Sequence, residues 1–302
     1  MHRLTHKVLY SIIAGVLDAL AHLPLAVAYW LGARLGDLAY LLLAGRRRIT
    51  LENLALALRE EKTPEERYRI ARAVFRNLGQ HLVDFSRLRN LTPEGFDRIC
   101  TIEGLEHVQH LLERRKGLLI LSAHFGSWEL ASAIALHLPL HIIVRPLDYM
   151  VLDRLVETGR QRFGSHIIPK RNALGQSLAV LRRGEVVVVL MDQSSLRHEA
   201  VQVEFFGIKT HTAKGPALLA MRAHCPVVGL FMIRAAPGQH RLILTGEIPV
   251  CRTGNVQRDI KETTRLFNQV IEAYIRRYPD HWFWLHRRWK QRPDRDIERV
   301  VQ

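Results

Sequence analysis

The chain has 302 residues, of which 48% are hydrophobic and 24% charged, enough for one large domain with or without a helical appendage. Lys and Arg outnumber Asp and Glu by 44 to 29, a net charge of +15 that points to an anionic partner: nucleic acid, an acidic lipid surface or an acidic carrier protein. The three cysteines, Cys100, Cys225 and Cys251, are scattered and odd in number, which suits a reducing compartment and excludes both a disulfide framework and a structural zinc spacing.

From Val8 to Ala44 the sequence is almost continuously apolar, "VLYSIIAGVLDALAHLPLAVAYWLGARLGDLAYLLLA". A window of about 20 such residues is long enough to cross a bilayer. Asp18 near its centre is costly in lipid, and Pro24 kinks a single straight helix. Ala26-Val27-Ala28 resembles a signal-peptide cleavage site, but the apolar pattern continues past it to Leu43, which a signal peptide does not need. The expectation is a retained membrane anchor over residues 1–45, either one spanning helix or a helical pair lying partly in the interface. The alternative is a buried helical hairpin packed on the domain. "GRRRIT" (45–50) follows at once and suits an anionic cytoplasmic leaflet, although Arg3 and Lys7 weaken any bias in orientation.

Residues 46–100 read as helices packing on the core. Thr63 is the expected N-cap of a helix with Pro64 at its first position and Glu65 and Glu66 in its first turn. Ile70, Val74, Leu78 and Leu82 recur every four residues as its buried stripe.

After Thr101 short β-branched runs alternate with helical patterns. The expected strands are 117–123, 140–146, 166–170, 185–192, 225–234 and 241–250, with helices from Trp128 and near 151–163, 173–183, 213–223 and 256–277. Continuous Val/Ile/Leu runs indicate strands covered on both faces. The fold class is therefore α/β, a mixed, largely parallel sheet flanked by helices over residues 101–302, with an N-terminal helical membrane anchor.

Working residues of open α/β sheets gather at the carboxyl ends of strands, and "LLILSAHFGSWE" puts His124 at such an end. Gly126 allows a tight turn, Ser127 can cap the next helix, and Glu129 falls where it can fold back onto one imidazole nitrogen. A His oriented by a carboxylate, with no Ser or Cys nucleophile in the same motif, is suited to activating a substrate hydroxyl for direct attack on an acyl group. Metal ligation is the weaker alternative, because the second His of H-E-x-x-H is missing. The plain alternative is a turn histidine followed by a favourable first-turn charge.

H-x-x-x-x-[DE] after an apolar strand resembles the signature of glycerolipid and lysophospholipid acyltransferases. "AHFGSWE" is similar to the branch containing the bacterial lipid A late acyltransferases, which add secondary lauroyl or myristoyl chains. Further blocks resemble that family in order: "ENLALAL" (52–58), "VRPLD" (144–148), "ETGR" (157–160), "LMDQ" (190–193), "VEFFG" (203–207) and "PDHWFWLHRRWK" (279–290). The resemblance implies that His124 is the base and Glu129 its partner, and that Arg160 and Asp192 are needed for activity. Arg160 is suited to an oxyanion or an acceptor phosphate. Asp192, at the end of "VVVVLMD", is suited to holding Arg160 or another basic side chain, and Lys170 and Arg171 are basic candidates for acceptor phosphate. Departures from the family pattern are Ser127 where Asn is frequent, Tyr149 after Asp148, and "SSLRHEA" after Gln193.

The resemblance further implies an acidic acyl carrier protein as donor and partner, an anionic glycolipid acceptor, no metal and no tightly bound cofactor. It places the protein at the bacterial inner membrane with catalysis on the cytoplasmic face. Another glycolipid such as a phosphatidylinositol mannoside, or a lysophospholipid, is the alternative acceptor. A basic membrane-binding protein without catalysis is the alternative of another class. No nucleic acid is expected, because the positive charge is dispersed and no helix-turn-helix, zinc-finger or RNP pattern occurs.

Overall fold

The computed structural model describes residues 2–145 and 150–290; most of the "VRPLD" block and Tyr149 lie outside these. The apolar N-terminal stretch forms two helices, α1 (His2–His22) and α2 (Leu25–Leu42), followed by α3 (Ala44–Ala57) and α4 (Pro64–Arg87). Pro24 sits at the break with φ −50° and ψ 137°, an extended conformation that its ring favours. Of the expected alternatives, the helical pair is the one formed, and it is neither free of the domain nor buried within it. One face of α2 packs closely on α4, because side chains are missing at the crossing: a Cβ on Gly32 would lie 2.8 Å from the Gly79 carbonyl oxygen, and one on Gly36 would collide with that of Phe75. Asp37 adds ion pairs to Arg72 (2.7 Å) and Arg76 (2.8 Å) of α4. The opposite face leaves Val27, Trp30, Leu38, Leu41 and Leu42 exposed.

α4 starts as its sequence predicts. The Thr63 hydroxyl accepts from the Glu66 amide and the Glu66 carboxylate accepts from the Thr63 amide, a capping box contributing about 1 kcal/mol. The expected stripe is corrected. Val74 is buried, but Leu82 is 40% exposed and Val83 takes its place inside. Four residues advance a helix by about 400°, so a spacing of four drifts about 40° per step and leaves the core after three steps.

Beyond α4 come α5 (Pro93–Ile99), β1 (Cys100–Glu103), α6 (Leu105–Glu113), β2 (Leu118–Ser122), a 3-10 helix (Leu130–Leu136), β3 (Leu140–Val144), α7 (Met150–Gln161) and β4 (His166–Pro169). The chain continues with α8 (Ala173–Arg182), β5 (Val186–Leu190), β6 (Ala200–Phe205), β7 (Ile208–Ala213), α9 (Gly215–Ala223), β8 (Val227–Ala236), β9 (Gln239–Leu244) and α10 (Val256–Arg277). The main sheet has the order β1-β9-β8-β2-β5-β3-β4, parallel except between β8 and β9.

β2 is central, and its whole length is buried. Leu119 and Leu121 point to one core cluster with α4, α9 and α10, while Leu118 and Ile120 point to another with α5 and α6. That two-sided burial is why the run shows no polar alternation. The turn expected to open an α-helix at Trp128 instead runs into a 3-10 helix from Leu130, where the Ser132 hydroxyl donates to the Glu129 carbonyl (2.6 Å).

The sequence pattern does not announce the β6–β7 hairpin. Its inward positions on β7 are Thr210 and Thr212, fully buried but polar, so the apolar alternation is hidden. Buried Arg288 satisfies it, donating to the His211 carbonyl (2.7 Å) and the Thr212 hydroxyl (2.6 Å). In the C-terminal segment Trp282, Trp284 and Trp289 are buried, so these rings belong to the core rather than to a membrane interface.

Candidate active site

Strand register builds the site. β2 and β5 are adjacent and parallel, with Ser122 opposite Leu190. Two residues further on, at equal offset from that pair, stand His124 and Asp192, and the Met191 amide still donates to the Ser122 carbonyl (3.2 Å). The two side chains meet: His124 Nδ1 is 2.9 Å from Asp192 Oδ1. Asp192 is buried and accepts from the Trp282 indole through its other oxygen (2.9 Å), whereas the His124 side chain keeps 28% exposure. With Asp192 accepting from Nδ1–H, Nε2 carries the lone pair and is free of the carboxylate.

Electrostatics reinforce this arrangement. Burial works against an imidazolium, but the charge and hydrogen bond of Asp192, helped by the Glu129 charge, outweigh it and raise His124 above the ordinary histidine value. Burial likewise works against ionised Asp192, and His124 with the Trp282 indole overcomes it, holding the carboxyl low.

Glu129, expected to orient His124, is engaged elsewhere. Its carboxylate takes a bidentate pair from Arg160, Nε at 2.8 Å and Nη2 at 2.7 Å, and a third bond from the Trp128 indole (3.0 Å). The partners are therefore exchanged relative to the sequence reading, with Asp192 on His124 and Glu129 on Arg160. The physical reason is reach: the 3-10 start directs Glu129 toward α7, while strand pairing delivers Asp192 to the imidazole directly. Arg160 retains Nη1 beyond its pair with Glu129. Lys170 does not join the cluster. It follows β4, three places along the sheet from β2, and forms an exposed ion pair with Glu199 (2.8 Å).

The turn carrying His124 is held by its backbone. Gly126 has φ +56°, donates to the His281 carbonyl (2.8 Å), and has no room for a Cβ, which would collide with the Met232 carbonyl oxygen. The Phe283 amide donates to the His124 carbonyl (3.0 Å). Gly126→Ala should destabilise the fold by about 1–3 kcal/mol, read as a lower midpoint in thermal or denaturant unfolding; an unchanged midpoint would mean that the turn has slack.

Trp128 and Trp282 lie within the family-like blocks "AHFGSWE" and "PDHWFWLHRRWK" but carried no expected site role, and His81 was not singled out at all. His81 of α4 stacks on Trp128 with ring centroids 3.9 Å apart, and burial pushes its pKa down to about 4, so it is a neutral ring there. No local pattern marks a histidine on an amphipathic helix as part of a site some 40 residues away.

The arrangement can take a proton from a hydroxyl at Nε2 and return it to a leaving group, beside a half-buried cation at Arg160. Comparison with known proteins agrees with such chemistry. The model of the bacterial lipid A biosynthesis acyltransferases matches residues 2–291. The lipid A biosynthesis lauroyltransferase of Escherichia coli K12 is 29% identical over 284 residues, covering 93% of this chain and 90% of that protein. The palmitoleoyltransferase of the same organism is 28% identical over 92% of this chain and 90% of its own length. A phosphatidylinositol mannoside acyltransferase of Mycolicibacterium smegmatis is 23% identical over 61% of this chain and 60% of its own. With its family model matched from the first helix to the C-terminal aromatic segment, the chain belongs to the bacterial lipid A biosynthesis acyltransferases.

Proposed function

We propose that this protein moves a fatty acyl chain from the thioester of an acidic acyl carrier protein to a hydroxyl of a lipid A precursor, at the cytoplasmic face of the inner membrane. The observation that carries the proposal is the His124–Asp192 pair with Nε2 left free beside the Glu129–Arg160 pair. In this reaction Nε2 takes the proton of the acceptor hydroxyl as its oxygen attacks the thioester carbonyl carbon. A tetrahedral oxyanion forms, and Arg160 is the nearby cation suited to stabilise it. Collapse breaks the carbon–sulfur bond, and the departing thiolate takes the proton from the imidazolium, giving an ester and a free thiol. Asp192 stabilises the imidazolium between the two proton transfers. Lys170 and Arg171, away from this cluster, retain only a role in acceptor phosphate binding. No cofactor beyond the thioester donor is required by this sequence of steps.

The donor assignment is supported by the net charge of +15, which favours encounter with an acidic carrier. Membrane association is supported by the apolar face of α2, with "GRRRIT" directly after it. Because Asp37 and the glycines tie α2 along α4, that face suits a helix lying in the interface better than one leaving the domain to cross the bilayer. Trp30→Glu with Leu38→Glu should weaken binding to anionic vesicles at least about tenfold, since each buried apolar side chain contributes about 1.5–3 kcal/mol. Co-sedimentation checks this, and unchanged binding would assign attachment to another surface.

The function is tested by incubating the purified full-length protein with acyl carrier protein and coenzyme A thioesters of several chain lengths, using a lipid A precursor, a phosphatidylinositol mannoside and a lysophospholipid as acceptors. Ester formation on the lipid A precursor from the carrier-protein thioester is the expected result. Transfer only to another acceptor would replace the acceptor assignment, and transfer only from coenzyme A would replace the donor.

A further inference from the structure

Behind the site lies a second buried charge pair that the reaction described above does not use. Asp84 of α4 and Arg234 of β8 have side chains only 3% and 4% exposed, with Arg234 Nη2 2.5 Å and Nε 3.1 Å from Asp84 Oδ2. A buried ion pair by itself is weak grounds for assigning a purpose. Here its remaining partners come from four places, one of them α4 itself. The Tyr29 hydroxyl of α2 donates to Asp84 Oδ1, and His240 of β9 approaches the same oxygen at 3.3 Å. Gln80 and Asn77, one and two turns before Asp84 on α4, accept from Arg234 Nη1.

The fourth place is the turn itself. The Ser127 hydroxyl, fully buried between His124 and Glu129, donates to Asp84 Oδ2 and accepts from Arg234 Nη2 at 2.8 Å. α4 grips the same turn again through the His81–Trp128 stack. It is also tied to the start of α2, since Arg87 donates to the Leu23 carbonyl (2.5 Å). Asp84 remains ionised in this setting: its burial is opposed by Arg234, His240 and Ser127, which together hold the carboxyl well below its usual range.

We propose that Asp84 and Arg234 are positioning residues which, through the Ser127 hydroxyl, lock the His124–Glu129 turn to the N-terminal helices, so that the seating of α2 is part of the catalytic geometry and not only a means of attachment. The inference rests on the reading of His124 as the base. A displacement of about 1 Å at a reacting group costs about 100-fold in rate, so a tether three residues from His124 is well placed to matter.

Removing Asp84 or Arg234 would leave the other charge buried and unpaired, and the fold would suffer. Ser127→Ala and Tyr29→Phe are the informative variants, because each deletes one hydroxyl and leaves the ion pair intact. Neither changes the charged or titratable groups around His124, which are Asp192, Glu129, Arg160, His81 and His286. Two readouts are taken on the full-length protein in lipid nanodiscs: kcat and KM for acyl transfer, and the titration of His124 followed by nitrogen-15 NMR of labelled histidines, its signals assigned by loss in His124→Ala.

Both variants should keep their thermal midpoint within a few degrees and their KM within about twofold. Their kcat should fall about 10- to 100-fold, and the His124 titration should move from its raised position toward 6.5, as its contact with Asp192 loosens. An unchanged kcat with an unchanged titration, in a wild type whose transfer depends on His124, would overturn the positioning role alone. A fall in KM-linked binding with no change in kcat or titration would also overturn it. If wild type transfers to no acceptor while the His124 titration still moves in both variants, the tether stands and the proposed reaction falls.

Discussion

His124→Ala should lower acyl transfer by about 100- to 10,000-fold with little change in KM for donor or acceptor, the range expected when a general base is removed. The imidazole is the group with a free lone pair at the junction of β2 and β5, since Asp192 occupies its other nitrogen. Without it the acceptor hydroxyl must lose its proton to water, and the departing thiolate has no imidazolium to protonate it. Folding should survive, because Asp192 keeps its bond from the Trp282 indole. Initial rates of ester formation at saturating substrate measure the effect. Transfer within about threefold of wild type would reduce His124 to a turn residue and remove the proposed mechanism.

Asp192→Asn should have an effect of similar size, about 100-fold or more in kcat, together with a characteristic change in pH dependence. Transfer requires neutral His124, so kcat/KM rises with pH through the pKa of that group. In the native protein Asp192 raises this pKa, which puts the acid limb above 6.5. Removing the carboxylate leaves burial as the dominant influence, and burial lowers the pKa of a histidine. The limb should therefore move to lower pH while the plateau falls, two effects of opposite sense at acid pH. Glu129→Gln is the informative comparison. Glu129 acts on His124 only through its charge, so the limb should shift in the same direction but less, and any larger loss should be traceable to Arg160. A pH–rate profile in which Glu129→Gln moves the limb more than Asp192→Asn would restore Glu129 as the partner of His124.

The strands that carry the site were legible because they are buried on both faces. β2 and β5 announce themselves as Val/Ile/Leu runs and β8 as a longer apolar one, and His124 and Asp192 stand out as polar residues just past the ends of the first two. Which carboxylate meets which base was not legible. That depends on β5 lying next to β2 in register, a relation between segments almost 70 residues apart to which local spacing is blind. Proximity along the chain favoured Glu129, and strand adjacency chose Asp192. The tether shows the same limitation more strongly. Asp84 sits in an amphipathic helix and Arg234 ends a hydrophobic strand 150 positions later, so each alone reads as a surface charge. The hairpin at β6–β7 escaped for a different reason, the inward side of β7 being threonine satisfied by an arginine from the C-terminal segment.

The glycine crossing between α2 and α4 bears on how this enzyme can be handled and redesigned. Backbone meets backbone at Gly32, Gly36 and Gly79, a fit that generic apolar helices lack. Trimming the first 44 residues to obtain a soluble catalytic fragment would strip Tyr29 from Asp84 and uncover Val83 and Gly79. Grafting a foreign membrane helix in their place would return the fragment to lipid without returning that fit. The N-terminal pair is thus not an exchangeable module, and solubilisation is better sought by changing its outer face, at Trp30, Leu38, Leu41 and Leu42, than by cutting it away.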